Sequence, residues 1–321
     1  MLTQEHPLQE ARDELSASAE PLLQCPRCQT NVMALVCPQC AFHMEVHHGI
    51  VHALPPERAV HYRQFMADYE HIRKAEGRGS RNEDFYLALP YKDTTGKNSY
   101  QWKIRSKNYE YLTKHLLSPL DKGALVLDLG AGNCWMSFHL ARLGYTPVAV
   151  DLLTNEHDGL GAASHLLKHL STPFPRFQAE AAHLPFRDGQ FDAIVFNASF
   201  HYSEDYEETL REALRSLKPG GLLVISDTPW YSRDESGKQM VAERQAAFRR
   251  RFGTASDSIK SLEYLTDERL RVLEGSLSIR WMKHVPWHGW RWALRPWMAK
   301  LRHRREPSQF RIYIARKHAC S

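Results

Sequence analysis

Four of the six cysteines of this 321-residue chain stand close together in two identical pairs. Cys25 and Cys28 form one C-x2-C pair, and Cys37 and Cys40 form the second after an eight-residue spacer. Each pair can turn two thiolates toward one ion, and four thiolates in a tetrahedron suit zinc. The alternatives are a redox pair and a site in which His43 replaces one cysteine. Two pairs so close together, outside any βαβ context, favour metal. The spacing therefore predicts a closed, structural zinc ribbon.

A second group of residues has the types and spacing to bind a nucleotide-like cofactor. Asp128 is followed by Gly130 and Gly132, and Asp151 comes nineteen residues after Gly132. Glycines are needed where the backbone takes a positive φ or lets a ligand approach closely, and an acid at the end of the second strand can accept both hydroxyls of a ribose. Trp135 occupies the third glycine position of G-x-G-x-x-G, so the usual dinucleotide loop is excluded. The sequence also lacks the Walker pattern GxxxxGK[ST].

These residues need an α/β framework to position them. From Lys122 onward, apolar runs of strand length alternate with helical stretches, beginning with ALVLDL, WMSFHLARLG and PVAVDL. Such alternation predicts a doubly wound, Rossmann-like parallel sheet with helices on both faces. The stretches SLSIRWMKHV and FRIYIARK predict a further strand pair at the C-terminal end. We therefore expect one α/β domain over residues 118–321.

The chain before this domain divides into three segments. Residues 1–20 are expected to form a polar, flexible tail, 21–56 the zinc ribbon, and 57–117 a helical linker or cap. Within the cap, two helical patterns flank residues 85–102, which contain a proline and a glycine and are predicted to form a loop.

The order of these motifs resembles the class I S-adenosylmethionine-dependent methyltransferases, in particular their type 11 group. The resemblance covers about residues 105–230 and depends on four stretches: DLGAGNC from Asp128, the acid Asp151, AEAAHLPFRDGQFD from Ala179, and LKPGGLLV from Leu217. The chain departs from the family at Cys134, where a third glycine is usual. We expect a packed, unreactive thiol there, since no cation in the neighbouring sequence would lower its pKa.

The resemblance implies S-adenosylmethionine as the cofactor and a role for each matched residue. The glycine loop would contact the methionine part, Asp151 the ribose, and Leu152 the adenine. Glu180 would accept a hydrogen bond from the adenine amino group, and Ala181 would offer its backbone N–H. The predicted cofactor residues are Asp128, Gly130, Ala131, Gly132, Asn133, Asp151, Leu152, Glu180, Ala181 and Asn197.

Three further side chains are candidates for catalysis: His201, Asp227 and Ser199. In sheets of this kind the ligand lies beyond the carboxyl ends of the strands, where these residues are expected. His201 is the candidate base because the ordinary pKa of histidine is near neutral pH; alternatively, it packs or caps the next helix. Asp227 could orient a substrate or hold a cation. The linker residues Tyr100, Trp102 and Arg105 either cover the cofactor or only pack on the domain.

Positive charge is concentrated near the C-terminus. The chain has a net charge of +5, but residues 276–321 hold eleven Lys/Arg and one acid, a net of +10, which leaves −5 elsewhere. Within this region, the basic and tryptophan-rich insertion 286–307 has three interpretations: an interfacial helix on an anionic membrane, an RNA-binding surface, or a lid with its apolar face packed on the sheet. We favour the lid.

The predicted function is S-adenosylmethionine-dependent methyl transfer to a small molecule or a lipid-linked metabolite. One alternative is a ribosomal RNA base methyltransferase that grips RNA with the ribbon; another is a catalytically dead binding scaffold. The RNA alternative is weakened because Arg27 is the only Lys/Arg between Cys25 and Cys40, and because the sequence at Asn197 lacks the N-P-P-[FYW] pattern. No secretory signal or spanning segment is visible, so we expect a cytoplasmic protein. The oligomeric state is not predicted.

Overall fold

A mixed nine-stranded sheet organises the protein in this computed structural model, which describes residues 21–318. The predicted tail, residues 1–20, lies outside the described residues. The strands are β1 (Leu23–Gln24), β2 (Asn31–Val32), β3 (Glu45–His47), β4 (Ile50–His52), β5 (Leu125–Leu129), β6 (Thr146–Asp151), β7 (Arg176–Gln178), β8 (Phe191–Asn197), β9 (Leu217–Ser226), β10 (Pro229–Trp230), β11 (Met282–His284), β12 (Gln309–Phe310) and β13 (Ile312–Arg316).

The α-helices cover the sheet on both faces and form the cap. They are α1 (Pro56–Ala75), α2 (Glu83–Ala88), α3 (Ser99–Tyr111), α4 (Trp135–Arg142), α5 (Ser164–Leu167), α6 (Tyr206–Ser216), α7 (Asp234–Phe252), α8 (Asp267–Leu277), α9 (Trp290–Ala293) and α10 (Arg295–Leu301). A π-helical turn (Leu112–Leu117) extends α3, and 3-10 turns cover Leu160–Ala163 and Phe200–Tyr202.

The strand order is β11-β13-β9-β8-β5-β6-β7-β4-β3. Strands β5 to β9 run parallel to their neighbours, whereas β13 lies antiparallel between β9 and β11. Strands β6 and β7 lie on one side of β5, and β8 and β9 lie on its other side. The strand order therefore reverses between β5 and β8. Ligand crevices of open α/β sheets form at such a reversal. The predicted doubly wound α/β sheet with a C-terminal strand pair is therefore confirmed.

The central strands are mostly apolar because both faces of the sheet are covered, and most of their polar residues lie near the strand ends. All five residues of β5 are buried. Leu127 packs into one apolar cluster with Phe186, while its neighbour Val126 packs into a second cluster with Phe138. Alternate side chains of a strand point to opposite faces, so each central strand contributes to two cores and holds its carboxyl end rigidly.

The ribbon is joined to the sheet. Its second hairpin adds two strands at the edge, with β4 parallel to β7 and Val51 opposite Phe177. The backbone N–H of Gln24 donates to the carbonyl of Pro185 at 3.0 Å. Cys25 and Cys37 belong to the same apolar cluster as Phe177. A module this small buries little apolar area alone, and it gains the rest from the main domain.

The cap differs from expectation in one place. The short helix α2 lies partly inside the segment that the sequence predicts to be a loop. Its start is fixed by Asn82, whose side chain accepts from the backbone N–H of Asp84 at 2.9 Å, and it buries Phe85 and Tyr86. Among residues 21–318, no helix combines the length and the apolar character needed to cross a bilayer.

Candidate active site

A cavity of about 540 Å³ lies at the reversal of the strand order. The carboxyl ends of β5, β6 and β8 form its floor, and residues of the cap and of the insertion form its walls. The predicted site residues that line it are Asp128, Gly130, Ala131, Gly132, Asn133, Asp151, Leu152, Glu180, Ala181, Asn197, Ser199, His201 and Asp227. The structure thus brings every predicted cofactor and catalytic residue to one cavity, while their individual roles stay predictions.

The loop after β5 needs its glycines. Gly130 has a φ of +75°, and a Cβ added there would lie 2.1 Å from the Cβ of Ser199. Gly132 has a φ of +53°, and its N–H donates to Asp151 Oδ2 at 2.8 Å. Cys134 follows in the left-handed region with a φ of +63° and is buried, so it fills the family's third glycine position as a packed thiol.

Asp151 ends β6 at the floor of the cavity. Its Oδ1 accepts from the backbone N–H of Leu153 and its Oδ2 from that of Gly132, each at 2.8 Å. Burial raises the pKa of Asp151 to about 6, although these two hydrogen bonds oppose the rise. Each carboxylate oxygen keeps a second lone pair. The donor set therefore fits a ligand that offers two neighbouring hydroxyls, as a ribose does.

Asp128 is more deeply buried at the end of β5. Ser137 Oγ donates to its Oδ2 at 2.7 Å. Burial raises the pKa of Asp128 to about 7, and the hydrogen bond from Ser137 opposes this rise. The carboxyl is fixed by its neighbour and sits beside the glycine loop, where the methionine part of the cofactor is predicted.

Glu180 is already engaged by the cap. Arg58 donates from Nε to Oε1 at 2.7 Å and from a terminal nitrogen to Oε2 at 2.6 Å, and the Tyr62 hydroxyl donates to Oε2 at 2.9 Å. Burial raises the pKa of Glu180, but the interactions with His183 and Arg58 outweigh it and lower the pKa to about 2. Sequence reasoning missed this cluster, which occupies the carboxylate that the family resemblance assigns to adenine.

The candidate catalytic residues line the same cavity, with Ser199 directly beside the glycine loop. Ser199 Oγ donates to the carbonyl of Leu129, so its proton is held by the floor of the cavity. The Nδ1 atom of His201 is buried and has no hydrogen-bond partner among residues 21–318. Burial, together with Arg244 and Arg105, lowers the pKa of His201 to about 3. We predicted a base here from the ordinary, near-neutral pKa of histidine. His201 does not have that pKa in this buried environment.

Asp227 lines the same cavity as His201. Its backbone has a φ of +54°, and Asn108 donates to its Oδ1 at 2.5 Å. The second oxygen, Oδ2, is buried and has no partner in the described part of the chain. Burial raises the pKa of Asp227 to about 6, opposed mainly by Arg105. No signal in the sequence pointed to Asn108.

The insertion forms part of the cavity wall, but not as expected. Trp292 and Arg295 line the cavity, and the Arg295 guanidinium carbon lies 3.2 Å from the centre of the Trp292 ring. On the other side of the same helices, Trp290 and Trp297 are 76% and 63% exposed. The expectation of a lid whose apolar face packs on the sheet is therefore wrong, because α9 and α10 turn that face to solvent.

The four ribbon cysteines converge on one point. Their sulfur atoms all lie within 4.8 Å of one another, with 3.4 Å between Cys28 and Cys37 and 3.6 Å from Cys40 to both Cys25 and Cys28. A tetrahedron with Zn–S bonds of about 2.3 Å has sulfur–sulfur edges of about 3.8 Å. The cluster therefore fits a zinc ribbon.

The two cysteine pairs share one backbone geometry. After each pair a residue takes a positive φ, Gln29 at 60° and Ala41 at 56°. Their N–H groups donate to the carbonyls of Cys25 and Cys37 at 2.8 and 3.0 Å. The repeated turn brings both thiolates of each pair to the same side, as one shared ion requires.

An ion pair connects the ribbon to the cap. Arg27, inside the first cysteine pair, donates to both carboxylate oxygens of Glu57, at 2.7 and 2.5 Å. Glu57 lies in the first turn of α1, and the next residue is Arg58, which holds Glu180. The ribbon is thus connected to the Glu180 side of the cavity through Arg27, Glu57 and Arg58.

Comparisons with known proteins agree with this geometry. Residues 127–225 match the family model described as a methyltransferase domain. The match lies inside the region of the predicted resemblance, which is confirmed.

Two curated relatives and one solved structure illustrate the likeness. A demethylmenaquinone methyltransferase of Mycolicibacterium gilvum is 37% identical over 111 residues, 35% of this chain and 43% of the relative. A malonyl-[acyl-carrier protein] O-methyltransferase of Geobacter sulfurreducens is 27% identical over 184 residues, 57% of this chain and 60% of the relative. The match therefore spans about half the length of these relatives. The crystal structure of a possible exported protein from Bordetella parapertussis shares the fold with a TM-score of 0.50, at 18% identity over 83% of this chain and 89% of that one.

Proposed function

We propose that the protein transfers a methyl group from S-adenosylmethionine to a small-molecule or lipid-linked acceptor. The observation that carries the proposal is that one cavity is lined by the glycine loop, by Asp151 and by Asp227, whose Oδ2 has no hydrogen-bond partner within residues 21–318. When bound, S-adenosylmethionine supplies a methyl group on a positively charged sulfur, which departs as a neutral thioether. The chain's own residues must align the acceptor and exclude water, which is worth up to about 7–11 kcal/mol.

The cofactor end supports binding by backbone and carboxylate groups. Asp151 would accept hydrogen bonds from the ribose hydroxyls. Leu152 and Ala181 would contact the adenine at the cavity wall. Because Arg58 and Tyr62 occupy the carboxylate of Glu180, we assign Glu180 to holding α1 against the cavity. The backbone N–H of Ala181 then remains the adenine contact from this stretch.

At the acceptor end, Asp227 is the better candidate base. An acceptor that carries an acidic proton would lose it to Oδ2, which is buried and unpartnered within residues 21–318. With a pKa of about 6, Asp227 is charged above that pH and can accept a proton at neutrality. His201, with a pKa near 3, is a much weaker base and is assigned to shaping the cavity.

Two observations favour a small or lipid-linked acceptor over RNA. The relatives named above act, by their names, on demethylmenaquinone and on a malonyl group carried by a protein. The one cation inside the cysteine pairs, Arg27, is paired with Glu57, so it offers no free charge to a phosphate. We further propose that the ribbon holds one structural Zn²⁺, since four thiolates complete its shell and leave no open position. The cytoplasmic location stays a prediction.

Methyl labelling tests the proposal. The purified protein is incubated with methyl-labelled S-adenosylmethionine and a deproteinised extract that is then separated into RNA, lipid and small-molecule fractions. We expect label in the lipid or small-molecule fraction and none with Asp151→Asn, which should bind the cofactor at least about tenfold more weakly in calorimetry. Label in RNA alone overturns the acceptor class. Absence of cofactor binding by the wild type revives the scaffold alternative.

The role of Asp227 has its own test. In Asp227→Asn we expect cofactor affinity to be retained and the labelling rate to fall by about 10²–10⁴-fold. For the wild type the rate should rise through about pH 6, as the carboxyl loses its proton. Asp121→Asn, an exposed aspartate in the loop before β5, is the matched control. A rate that is unchanged in Asp227→Asn removes this residue from the proton transfer.

A further inference from the structure

Apolar side chains are exposed in one concentrated region. Of the sixteen large hydrophobic residues that are exposed among those described, eight lie between 282 and 301. They are Met282, Val285, Trp287, Trp290, Leu294, Trp297, Met298 and Leu301. We call this set the outer face of the insertion. Large contiguous apolar surfaces on a folded chain mark interaction sites.

The outer face is built by helical spacing. Trp290, Leu294, Trp297 and Leu301 follow one another at intervals of four, three and four residues, which places them on one side of a helix. The spacing survives the break between α9 and α10, because the N–H of Met298 donates to the carbonyl of Leu294 at 3.0 Å. The apolar stripe is thus continuous across both helices.

Cations surround this stripe, and acids are absent from it. The sequence from 275 to 305 contains eight Lys/Arg and no Asp or Glu. Five of the cations are exposed and form no ion pair with any residue in the range 21–318: Arg280, Arg291, Lys300, Arg302 and Arg304. An exposed tryptophan and leucine stripe flanked by unpaired cations has the composition of a helix that lies in a membrane interface.

We propose that the outer face of the insertion docks the protein on a membrane surface with anionic headgroups. The tryptophans and leucines would enter the boundary between headgroups and acyl chains, and Arg291, Lys300 and Arg302 would contact lipid phosphates. Five of the eight residues of the outer face are non-aromatic, and side chains such as Leu294, Met298 and Leu301 cannot stack on bases, so the surface suits a bilayer better than RNA.

A second copy of the chain is a poorer occupant. In a two-fold dimer the same patch lies on both sides of the contact. The cations of one copy would then face those of the other, and no acid between 275 and 305 would neutralise them. Like charges brought together in this way oppose association. An anionic surface meets no such opposition.

The position of the surface links it to the cavity. Trp292 and Arg295, on the inner side of α9 and α10, line the cavity, while Trp290 and Trp297 project outward. Docking would bring the cavity wall to the bilayer. The proposed membrane contact does not depend on the activity. Its purpose, which would be to give an amphiphilic acceptor access to the cavity, rests on the proposed function.

Vesicle co-sedimentation tests the docking without cofactor or turnover. The full chain is mixed with vesicles of phosphatidylcholine alone, or with vesicles that also contain about 30% phosphatidylglycerol, which gives them a negative surface. We expect binding to the anionic vesicles, weakening as salt is raised from about 50 to 500 mM because exposed charges are screened. Binding that is equal for both vesicles, or absent from both, overturns the proposal.

Two pairs of variants locate the surface. Trp290→Ser with Trp297→Ser should weaken partitioning by at least about tenfold, through lost apolar burial. Arg291→Gln with Arg302→Gln should weaken it by about 25-fold, since each cation near an anionic surface contributes about fivefold.

The matched controls are exposed residues on other elements. One control, Leu22→Ser with Met33→Ser, changes exposed residues of the ribbon, at the opposite edge of the sheet. The other, Arg250→Gln with Arg271→Gln, changes exposed cations of α7 and α8. Both controls should bind vesicles like the wild type. Equal loss in the controls, RNA binding that depends on the outer face without vesicle binding, or concentration-dependent dimerisation through it would each overturn the proposal. Because all substituted residues are exposed, thermal melting should be unchanged in every variant.

Discussion

The contact between Arg58 and Glu180 offers a quantitative test of how the cap is held. Arg58→Met keeps most of the side-chain stem and removes the cation, leaving a carboxylate that is 2% exposed beside Tyr62 and His183. Removing one partner of a buried ion pair typically destabilises a protein by about 3–5 kcal/mol. Arg58 is 32% exposed and two other partners remain, so we expect about 3 kcal/mol at pH 8.

The pH dependence gives the prediction its sign. In the wild type the pKa of Glu180 lies near 2 rather than at its ordinary 4.5. The stabilisation from this depressed pKa is therefore fully present above about pH 5 and is lost as the pH falls toward 2. In Arg58→Met, fewer partners counteract the effect of burial, so the pKa of Glu180 rises. The carboxyl then becomes protonated at mildly acidic pH, and the penalty of the substitution shrinks between pH 8 and pH 5.

Thermal unfolding between pH 5 and pH 8 is the assay. A loss of about 3 kcal/mol lowers the melting temperature of a chain of this size by about 6–12 °C. Arg63→Met is the matched control, since Arg63 is exposed on the same helix and forms no ion pair with the described part of the chain. Adding Glu180→Gln to Arg58→Met should restore part of the stability. The reasoning is refuted if Arg58→Met melts like Arg63→Met, or if its penalty does not change with pH.

Two further predictions concern the loop and the ribbon. Gly130→Ala should abolish cofactor binding and destabilise the fold by at least about 2 kcal/mol in thermal unfolding, because the new Cβ meets Ser199 at 2.1 Å. Gly189→Ala, with a similar φ and open space around it, should cost only about 1 kcal/mol, and equal losses for the two would contradict the clash. Cys37→Ser should remove the metal and lower the melting temperature, whereas Cys134→Ser should leave one zinc per chain by elemental analysis; zinc retained in Cys37→Ser would exclude the four-thiolate site.

The parts of the fold that the sequence predicted are those set by local patterns. The alternation of apolar strands and helices predicted the sheet because each central strand, such as Leu125–Leu129, is buried on both faces and must be mostly apolar. The loop from Asp128 to Cys134 was predicted because positive φ and close approach require particular residue types in a short run. The cysteine pairs were predicted for the same reason, since two ligands of each pair are close in sequence.

The parts that the sequence did not predict depend on pairings between distant segments. Arg58 and Glu180 are 122 residues apart, and Asn108 and Asp227 are 119 apart. A pattern of residue types does not indicate which distant polar groups meet, because packing of the cap decides it. The pKa of His201 has the same origin: its fall to about 3 comes from burial and from cations on other helices.

The insertion shows a further reason why the site was only partly predictable. Its helical stripe was visible in the sequence, but a stripe does not say whether its apolar face is buried or meets solvent. That depends on whether the sheet has room for it. Here the helices next to β12 already place Trp292 and Arg295 against the cavity, so Trp290 and Trp297 are left outside.

The two additions to the core fold contact different parts of the cavity lining. The ribbon is connected to Glu180, because Arg27 holds Glu57 at the start of α1 and Arg58 holds Glu180. The insertion lines the cavity through Trp292 and Arg295. Loosening the ribbon should therefore weaken cofactor binding first, and altering the insertion should change acceptor access first. Under the proposed function we expect the two effects to be separable in variants, since no hydrogen bond or ion pair among residues 21–318 joins the ribbon directly to the insertion.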